Sequence, residues 1–331
     1  MGLIDTEGKQ YLSQSNIFAD AFNYLLYDGE EIIKAEELKE LDTTQIAVPY
    51  GRQARLPLQK YRDILKLWNA MMDKDAIYVI LGSELQGTVN YGMPVKDVLY
   101  DAIGYSKQIE EARRSYRKQL SIKTEEESTD KEDEANLLLE DGILKLKLTS
   151  AEFLSGFRKG DKLIPIITAV IYINPEPWDG PMSLFEMLDV KDVRLYKYLN
   201  DYKINLISPA AMEESDFGKF HTDLGVAMKA LKYQNDGVEK VIGETNHRKI
   251  DRSTAVFLNN VAKLGLEYEE KEDDVDMCLA MEKKEQKDKV TGAIEALKGV
   301  GLSETDIVER IIDTFGVTKE YVLALISPKK V

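Results

Sequence analysis

The chain has 331 residues, of which 44% are hydrophobic and 31% are charged, a composition typical of soluble globular proteins. Its length is enough for about two domains, each with its own buried core. The formal net charge of -15 disfavours a large basic surface for nucleic acid, although a local basic groove stays compatible with it. No apolar run reaches the ~18 residues of a membrane-spanning helix, so no membrane association is expected.

Cysteine and histidine are scarce, which limits the chemistry available to the chain. Cys278 is the single cysteine, so an internal disulfide is excluded and a reducing, cytoplasmic location is expected. The two histidines, His221 and His247, leave almost no material for a histidine-rich zinc site or a Ser-His-Asp triad. Carboxylates must therefore provide any acid–base catalysis or metal binding.

The first half of the chain predicts a helix, three strands and a second helix. Residues 16–27 ("NIFADAFNYLLY") place apolar side chains at helical spacing. The segments "QIAVPYG", "YRDILKLW" and "IYVILGSELQ" are typical of strands, and the polar centre of "AMMDKDA" predicts a turn between the last two. Pro94 favours the start of a helix that covers the sheet with one apolar face, formed by Val95, Val98, Leu99, Ala102 and Ile103.

Acidic residues concentrate in residues 121–141, "SIKTEEESTDKEDEANLLLED". Many acids and few large apolar residues predict a solvated, disordered insertion that interrupts the chain without ending a domain. Two roles fit this composition. The segment is either a flexible surface loop or an acidic mimic of nucleic acid that occupies a basic groove.

The second half begins with further strands. Residues 163–173, "LIPIITAVIYI", are apolar at both alternating positions and rich in β-branched side chains, which predicts a central strand buried on both faces. The Pro and Gly content of "PEPWDGPM" predicts a turn. "YKINLISP" predicts another short strand that ends at Pro209.

Beyond that strand the pattern becomes helical and polar, so the sequence predicts a domain of residues 1–210 and a helical region of residues 211–331. N-cap signals at Ser303 and Thr318 predict two short helices separated by Gly316. The pair is either a helix-turn-helix or a small hairpin for packing or dimerisation. A homo-oligomer through these helices is one consequence of the second alternative.

Polar residues lie at the end of the third predicted strand. If "YRDILKLW" and "IYVILGSELQ" form a hairpin, Asp63 lies near Glu84, and Gln86 shares the face of Glu84 because strand side chains repeat every two residues. A hard cation such as Mg²⁺ or Mn²⁺ prefers oxygen ligands, to which the carbonyl of Leu85 can contribute. Spacing alone also suits solvated strand-end residues. The apolar run before Glu84 favours a metal site, because a carboxylate there is costly unless paired, solvated or metal-bound.

These segments, with "MPVKDVLYDAIGYSKQ" and "KLIPIITAVIYINPEPWDGPMSLFEML", resemble the Rpn family of recombination-promoting nucleases, also described as transposases. That family belongs to the PD-(D/E)XK nuclease superfamily. The resemblance runs in order from about Asn16 to Pro209. It implies an α/β, restriction-endonuclease-like fold with a mixed sheet flanked by helices. It also implies metal-dependent hydrolysis of DNA, linked to recombination, mobile DNA or phage defence.

Carried over to this chain, the resemblance makes Asp63 and Glu84 metal ligands and puts Gln86 where the superfamily commonly has a lysine. A lysine can orient the attacking water and offset negative charge, whereas an amide forms hydrogen bonds without bringing a charge. Asp20, on the first predicted helix, is either an additional acid at the site or an exposed residue.

The helix that follows Pro94 carries Lys96, Tyr100 and Lys107 on one face. These residues either contact phosphates and stack on a base of DNA or form a solvated helix face. The family's turn at residues 178–180, Trp-Asp-Gly, is interpreted as structural.

Two functions follow as alternatives. The first is a Mg²⁺-dependent DNA endonuclease in which a metal-activated water attacks the phosphodiester, and Asp63 with Glu84 favours it. The second is a catalytically inactive nuclease fold that acts as a DNA-binding or regulatory protein through its C-terminal hairpin. The acidic balance and Gln86 favour the second.

Overall fold

In a computed structural model the protein is described over residues 3–47, 58–61, 63–72, 75–126, 149–236, 240–241, 248–269, 271 and 273–327. The α-helices are α1 (Leu3–Ser13), α2 (Ser15–Tyr27), α3 (Met93–Glu126), α4 (Ser150–Ser155), α5 (Glu214–Phe217), α6 (Leu224–Lys232), α7 (Arg252–Asn260), α8 (Met277–Gly299), α9 (Glu304–Phe315) and α10 (Lys319–Ile326). The strands are β1 (Leu38–Glu40), β2 (Thr44–Ala47), β3 (Leu58–Tyr61), β4 (Ile64–Met72), β5 (Asp75–Gln86), β6 (Ile166–Tyr172), β7 (Asn205–Ile207), β8 (Lys249–Asp251) and β9 (Asp274–Asp276).

The chain divides into two compact units. The first, here called the sheet unit, comprises Phe18–Tyr172 and Trp178–Ser208. The second, here called the helical unit, comprises Met1–Ile17, Ile173–Pro177 and Pro209–Val331. Within the described part of the chain, no helix is both long and apolar enough to cross a membrane.

A five-stranded mixed sheet, in the order β1-β4-β5-β6-β7, forms the centre of the sheet unit. Strands β1, β4 and β5 are antiparallel neighbours, whereas β6 runs parallel to β5 and β7 runs parallel to β6. The predicted hairpin is confirmed, since β4 pairs with β5 in a register that sets Ile64 opposite Ser83. The predicted central strand is also confirmed, because β6 lies between β5 and β7 and is buried over almost its whole length. The protein is therefore of the mixed α/β class.

Helix α3 starts beside Pro94, as predicted, but its buried face differs from the predicted apolar stripe. Val95 is 46% exposed and Ala102 is also exposed, so these two residues do not face the sheet. The buried side of the helix instead includes two carboxylates, Asp97 and Asp101. The prediction failed here because a hydrophobicity pattern assigns carboxylates to the solvent side of a helix.

Polar contacts and a glycine attach α3 closely to the parallel half of the sheet. Asp101 accepts a hydrogen bond from Oγ1 of Thr168 at 2.8 Å and another from the hydroxyl of Tyr202 at 2.5 Å. At Gly104, a Cβ atom would overlap Cδ1 of Ile166, so a larger residue there would force the end of that isoleucine to move. The hydrogen bonds of Asp101 attach α3 to the sheet, and Gly104 gives Ile166 room beneath the helix.

The opposite face of the sheet contacts α2. Lys66 pairs with Leu81 of β5. Successive side chains of a strand point to opposite faces, so Leu81 and its partner Lys66 lie on the face of the sheet opposite Glu84. The ammonium of this fully buried lysine lies 5.4 Å from the centroid of the Phe18 ring and 3.5 Å from Oε1 of Glu40. The long apolar stem of the lysine fills the core, and its charge is held near an aromatic ring and a carboxylate.

The helical unit ends in a small three-helix core. The two predicted C-terminal helices are confirmed as α9 and α10, with the side chains of Ser303 and Thr318 as N-caps and Gly316, at a φ of 65°, as the C-cap of α9. Helices α8, α9 and α10 bury one apolar cluster: Val290, Ile294, Ile307, Val308, Ile311, Val322 and Ile326. The antiparallel pair β8 and β9 in the same unit was not predicted from the sequence.

The acidic segment of residues 121–141 is partly helical, contrary to the expectation of disorder over its whole length. Helix α3 continues to Glu126, so residues 121–126 extend that helix. The rest of the predicted insertion lies outside the described residues.

This boundary defines a test of the insertion. Exchanging residues 127–141 for a glycine-serine linker of equal length is expected to leave the Tm within about 3 °C, because a solvated segment contributes few buried contacts. Thermal unfolding of the full-length variant measures this. A larger loss would show that these residues pack against the protein. A rise in DNA affinity at low salt would support the acidic-mimic role instead.

Candidate active site

Asp63 and Glu84 lie opposite each other at one end of the β4–β5 hairpin. Continuing the antiparallel register from the Ile64–Ser83 pair by one residue sets Asp63 opposite Glu84. Such cross-strand neighbours have Cβ atoms about 5 Å apart. Oδ2 of Asp63 accepts a hydrogen bond from the backbone N–H of Leu85 at 2.8 Å, so the residue that precedes β4 is fixed to β5.

Glu84 is completely buried and forms an ion pair with α3. The ammonium of Lys96 lies 2.6 Å from Oε2 of Glu84, while the lysine side chain itself is 30% exposed. A carboxylate removed from water is costly, and a neighbouring opposite charge offsets that cost. The same ammonium lies 5.7 Å from the centroid of the Tyr100 ring, within the range of a cation–π contact. Lys96 is therefore held beside the carboxylate of Glu84.

The amide of Gln86 is used differently from a lysine at the same position. Its Nε2 donates a hydrogen bond to the carbonyl of Leu85 at 2.9 Å, and the side chain is half-buried. The positive charge beside Glu84 thus comes from Lys96 on α3, not from the strand.

Other residues predicted from the sequence occupy varied environments. Asp20 is only 4% exposed, so it is not the exposed residue that one alternative expected. Tyr100 is 4% exposed and presents no ring face to solvent, whereas Lys107 is exposed.

Sequence reasoning missed Asp97, which follows Lys96 directly and is 1% exposed. Its spacing of four residues from Asp101 was the available signal, but such a pair normally indicates a solvated helix face.

The turn at residues 178–180 packs beside this end of the sheet. Trp178 contacts the ring of Tyr172 edge-on, with the centroids 5.1 Å apart, and Tyr172 is paired in register with Gln86. At Gly180, a Cβ atom would lie 2.8 Å from Cγ1 of Val89, so a glycine is required where this turn meets the loop that follows β5.

The donor set limits which metal ion the site can hold. Among the residues that the structure describes, no group of three or more His, Cys, Asp and Glu side chains is arranged to bind a metal ion. The oxygen donors of the candidate site are the carboxylates of Asp63 and Glu84 and the carbonyl of Leu85. Such a set fits Mg²⁺, which is commonly bound by one or two carboxylates and keeps several waters, and it does not fit a closed structural zinc site.

Comparison with known proteins identified no relative. No family model matches the chain, and neither a curated protein nor a solved structure matches it.

Proposed function

We propose that the sheet unit is a restriction-endonuclease-like domain of the Rpn type that hydrolyses phosphodiester bonds of DNA with the help of Mg²⁺ or Mn²⁺. The observation that supports this most directly is the arrangement of three charges. Asp63 and Glu84 are cross-strand neighbours, and the ammonium of Lys96 lies 2.6 Å from Glu84. Carboxylates can hold a metal ion that activates a water, and a nearby ammonium can stabilise negative charge on a phosphate, so these groups suit metal-assisted phosphodiester hydrolysis.

Asp63 and Glu84 would hold the metal ion, with the carbonyl of Leu85 as a further oxygen ligand. When bound, a divalent ion supplies a water of lowered pKa and neutralises charge on the phosphate. The buried position of Glu84 suits this role, because a carboxylate in a poorly solvated place attracts a cation more strongly than an exposed one does. The ion pair of Glu84 with Lys96 shows the same attraction in the structure.

Lys96 has the role that the superfamily gives to a lysine on the strand. Its ammonium is close enough to Glu84 to stabilise negative charge that develops on a phosphate bound there. Gln86 positions the backbone instead, since its amide is bonded to the carbonyl of Leu85. A glutamine on the strand is therefore compatible with activity.

Conversion of supercoiled plasmid to the nicked form tests the proposal. The full chain is expected to nick plasmid with Mg²⁺ or Mn²⁺ and to be inactive with EDTA. Absence of nicking with either metal ion would support the inactive-fold alternative.

That alternative depends on the C-terminal hairpin, whose surface charge argues against contact with DNA. Helices α9 and α10 carry two cations, Arg310 and Lys319, and both are exposed. The exposed acids on the same two helices are Glu304, Asp306, Glu309, Asp313 and Glu320. Because phosphate contacts dominate DNA affinity, an acidic surface of this kind repels the duplex.

A double substitution checks this argument. Arg310→Ala with Lys319→Ala is expected to change the DNA affinity of the full chain by less than about twofold and to leave its salt dependence unaltered. Each phosphate contact that was lost would lower the slope of log affinity against log salt by about 1. A fall of that size, measured by fluorescence anisotropy from low to moderate salt, would show that the hairpin binds DNA.

A further inference from the structure

Tyr91 is an exposed aromatic residue with a fixed orientation, in the loop that joins β5 to α3. Its side chain is 60% exposed, yet its hydroxyl donates to the carboxylate of Asp179, 3.2 Å from each oxygen. This hydrogen bond, together with the negative charge of Asp179, raises the pKa of the Tyr91 phenol, so the hydroxyl stays a neutral donor. The ring is thus held at its polar end while most of the side chain is exposed to solvent.

The turn that carries Asp179 is held in place by packing. It comprises residues 178–180, and Trp178 packs with the cluster of Met93, Val170 and Ile204. Asp179 itself is exposed, but its neighbours in the turn pack against β6 and against the loop after β5, so the anchor of the tyrosine lies on a packed turn. Rigid aromatic side chains of this kind bind at a low cost in conformational entropy.

Tyr91 is next to the candidate active site along the chain. Tyr91 follows Gln86 by five residues and precedes Lys96 by five, so it lies on the segment that connects the strand of the site to its helix. The carboxylate of Asp179 beside the ring repels phosphate, so an uncharged group suits the ring face better. Phosphates are instead attracted to Lys96 and to the exposed Lys107 on α3.

We propose that Tyr91 stacks on an unpaired nucleobase of the substrate, so that the protein acts on single-stranded or locally unpaired DNA. The inference rests on the proposed nuclease function and specifies its substrate class. In an intact duplex both faces of each base are covered by neighbouring bases, whereas an unpaired base offers a face to an aromatic side chain. Stacking on one base contributes to the binding affinity whichever base is present.

Binding without cleavage tests this inference. A fluorescent single-stranded oligothymidine and a duplex of the same length are titrated with the full chain in EDTA, and anisotropy gives the two affinities. Tyr91→Ala is expected to weaken single-strand binding about tenfold or more and to leave duplex binding unchanged. Tyr91→Phe keeps the ring and is expected to retain affinity within about threefold. The control is Tyr78→Ala, an exposed tyrosine about 25 Å along β5 from Gln86.

Several results would overturn the inference: no single-strand binding by the unmodified protein, equal losses on both DNAs, or an equal loss with Tyr78→Ala. A substrate strand with 2-aminopurine gives a second readout, since stacking on Tyr91 should quench its fluorescence and Tyr91→Ala should restore it. The proposed function is judged separately, by nicking in Asp63→Asn. Nicking that depends on Asp63, together with unchanged single-strand binding in Tyr91→Ala, would reject only the stacking role.

Discussion

Asp63→Asn and Glu84→Gln are each expected to reduce plasmid nicking by at least about 100-fold, since a bound metal ion is worth several kcal/mol to the transition state and each 1.36 kcal/mol is about tenfold in rate. Both substitutions keep the size of the side chain, so the sheet should remain folded. In the unmodified protein, Mg²⁺ should raise the Tm by mass action, and both variants should lose most of that increase. Melting scans at several metal concentrations, run beside the nicking assay, measure both effects.

Variants of Gln86 provide the matched control. Gln86→Ala leaves all three proposed ligands in place and removes only the hydrogen bond that the amide donates to the carbonyl of Leu85, so it should preserve the metal-dependent rise in Tm better than either carboxylate variant does. Gln86→Lys adds a cation where nucleases of the proposed type commonly have a lysine, and nicking should survive in it. Nicking at the full rate in Asp63→Asn or Glu84→Gln would reject the proposed site.

Lys96→Met is the second substitution with a large expected effect. It should lower the stability of the metal-free protein and increase the stabilisation that Mg²⁺ provides. Without Lys96, the buried carboxylate of Glu84 loses the cation 2.6 Å away, and the free energy of unfolding should fall by roughly 2 kcal/mol. A divalent ion can replace the missing charge, so Mg²⁺ should raise the Tm of this variant more than it raises that of the unmodified protein. Nicking should nevertheless fall by about tenfold or more, because the fixed ammonium no longer stabilises the phosphate.

Two further lysine variants separate charge from packing. Lys96→Arg keeps the positive charge and should restore most of the stability and part of the nicking. Lys107→Met removes an exposed lysine from the same helix, about three turns away, and should leave the metal-dependent melting unchanged. If Mg²⁺ stabilises Lys96→Met no more than the unmodified chain, then Glu84 does not bind the metal ion.

The hairpin at the centre of the sheet unit was predictable because its signals are local. Alternating and continuous apolar runs identified β4, β5 and β6, and the period-two rule then set Gln86 on the face of Glu84. The opposed positions of Asp63 and Glu84 follow from the hairpin register, which the polar turn between the strands made foreseeable. N-cap residues likewise identified α9 and α10.

The partner of Glu84 was not predictable, because it depends on how a helix packs. The apolar pattern of α3 set Val95 and Ala102 toward the sheet, which would have directed Lys96 elsewhere. In the structure, the side of the helix that carries Asp101 and Gly104 faces β6, and Asp101 is hydrogen-bonded to Thr168 there. Such tertiary contacts override the hydrophobic pattern, and a single sequence does not reveal them. The exposed ring of Tyr91 was missed for the same reason, since Asp179 is far away along the chain.

Strand β5 pairs with an antiparallel neighbour on one side and a parallel neighbour on the other, and this arrangement has a consequence for the order of folding. The residues of the candidate active site lie between Asp63 and Lys96, joined by a hairpin and one helix start. Such short-range contacts form early, because little loop-closure entropy opposes them. Pairing of β5 with β6 must wait until the chain from Gly87 to Pro165 is brought back. Pulsed hydrogen exchange during refolding should therefore protect β4 and β5 before β6.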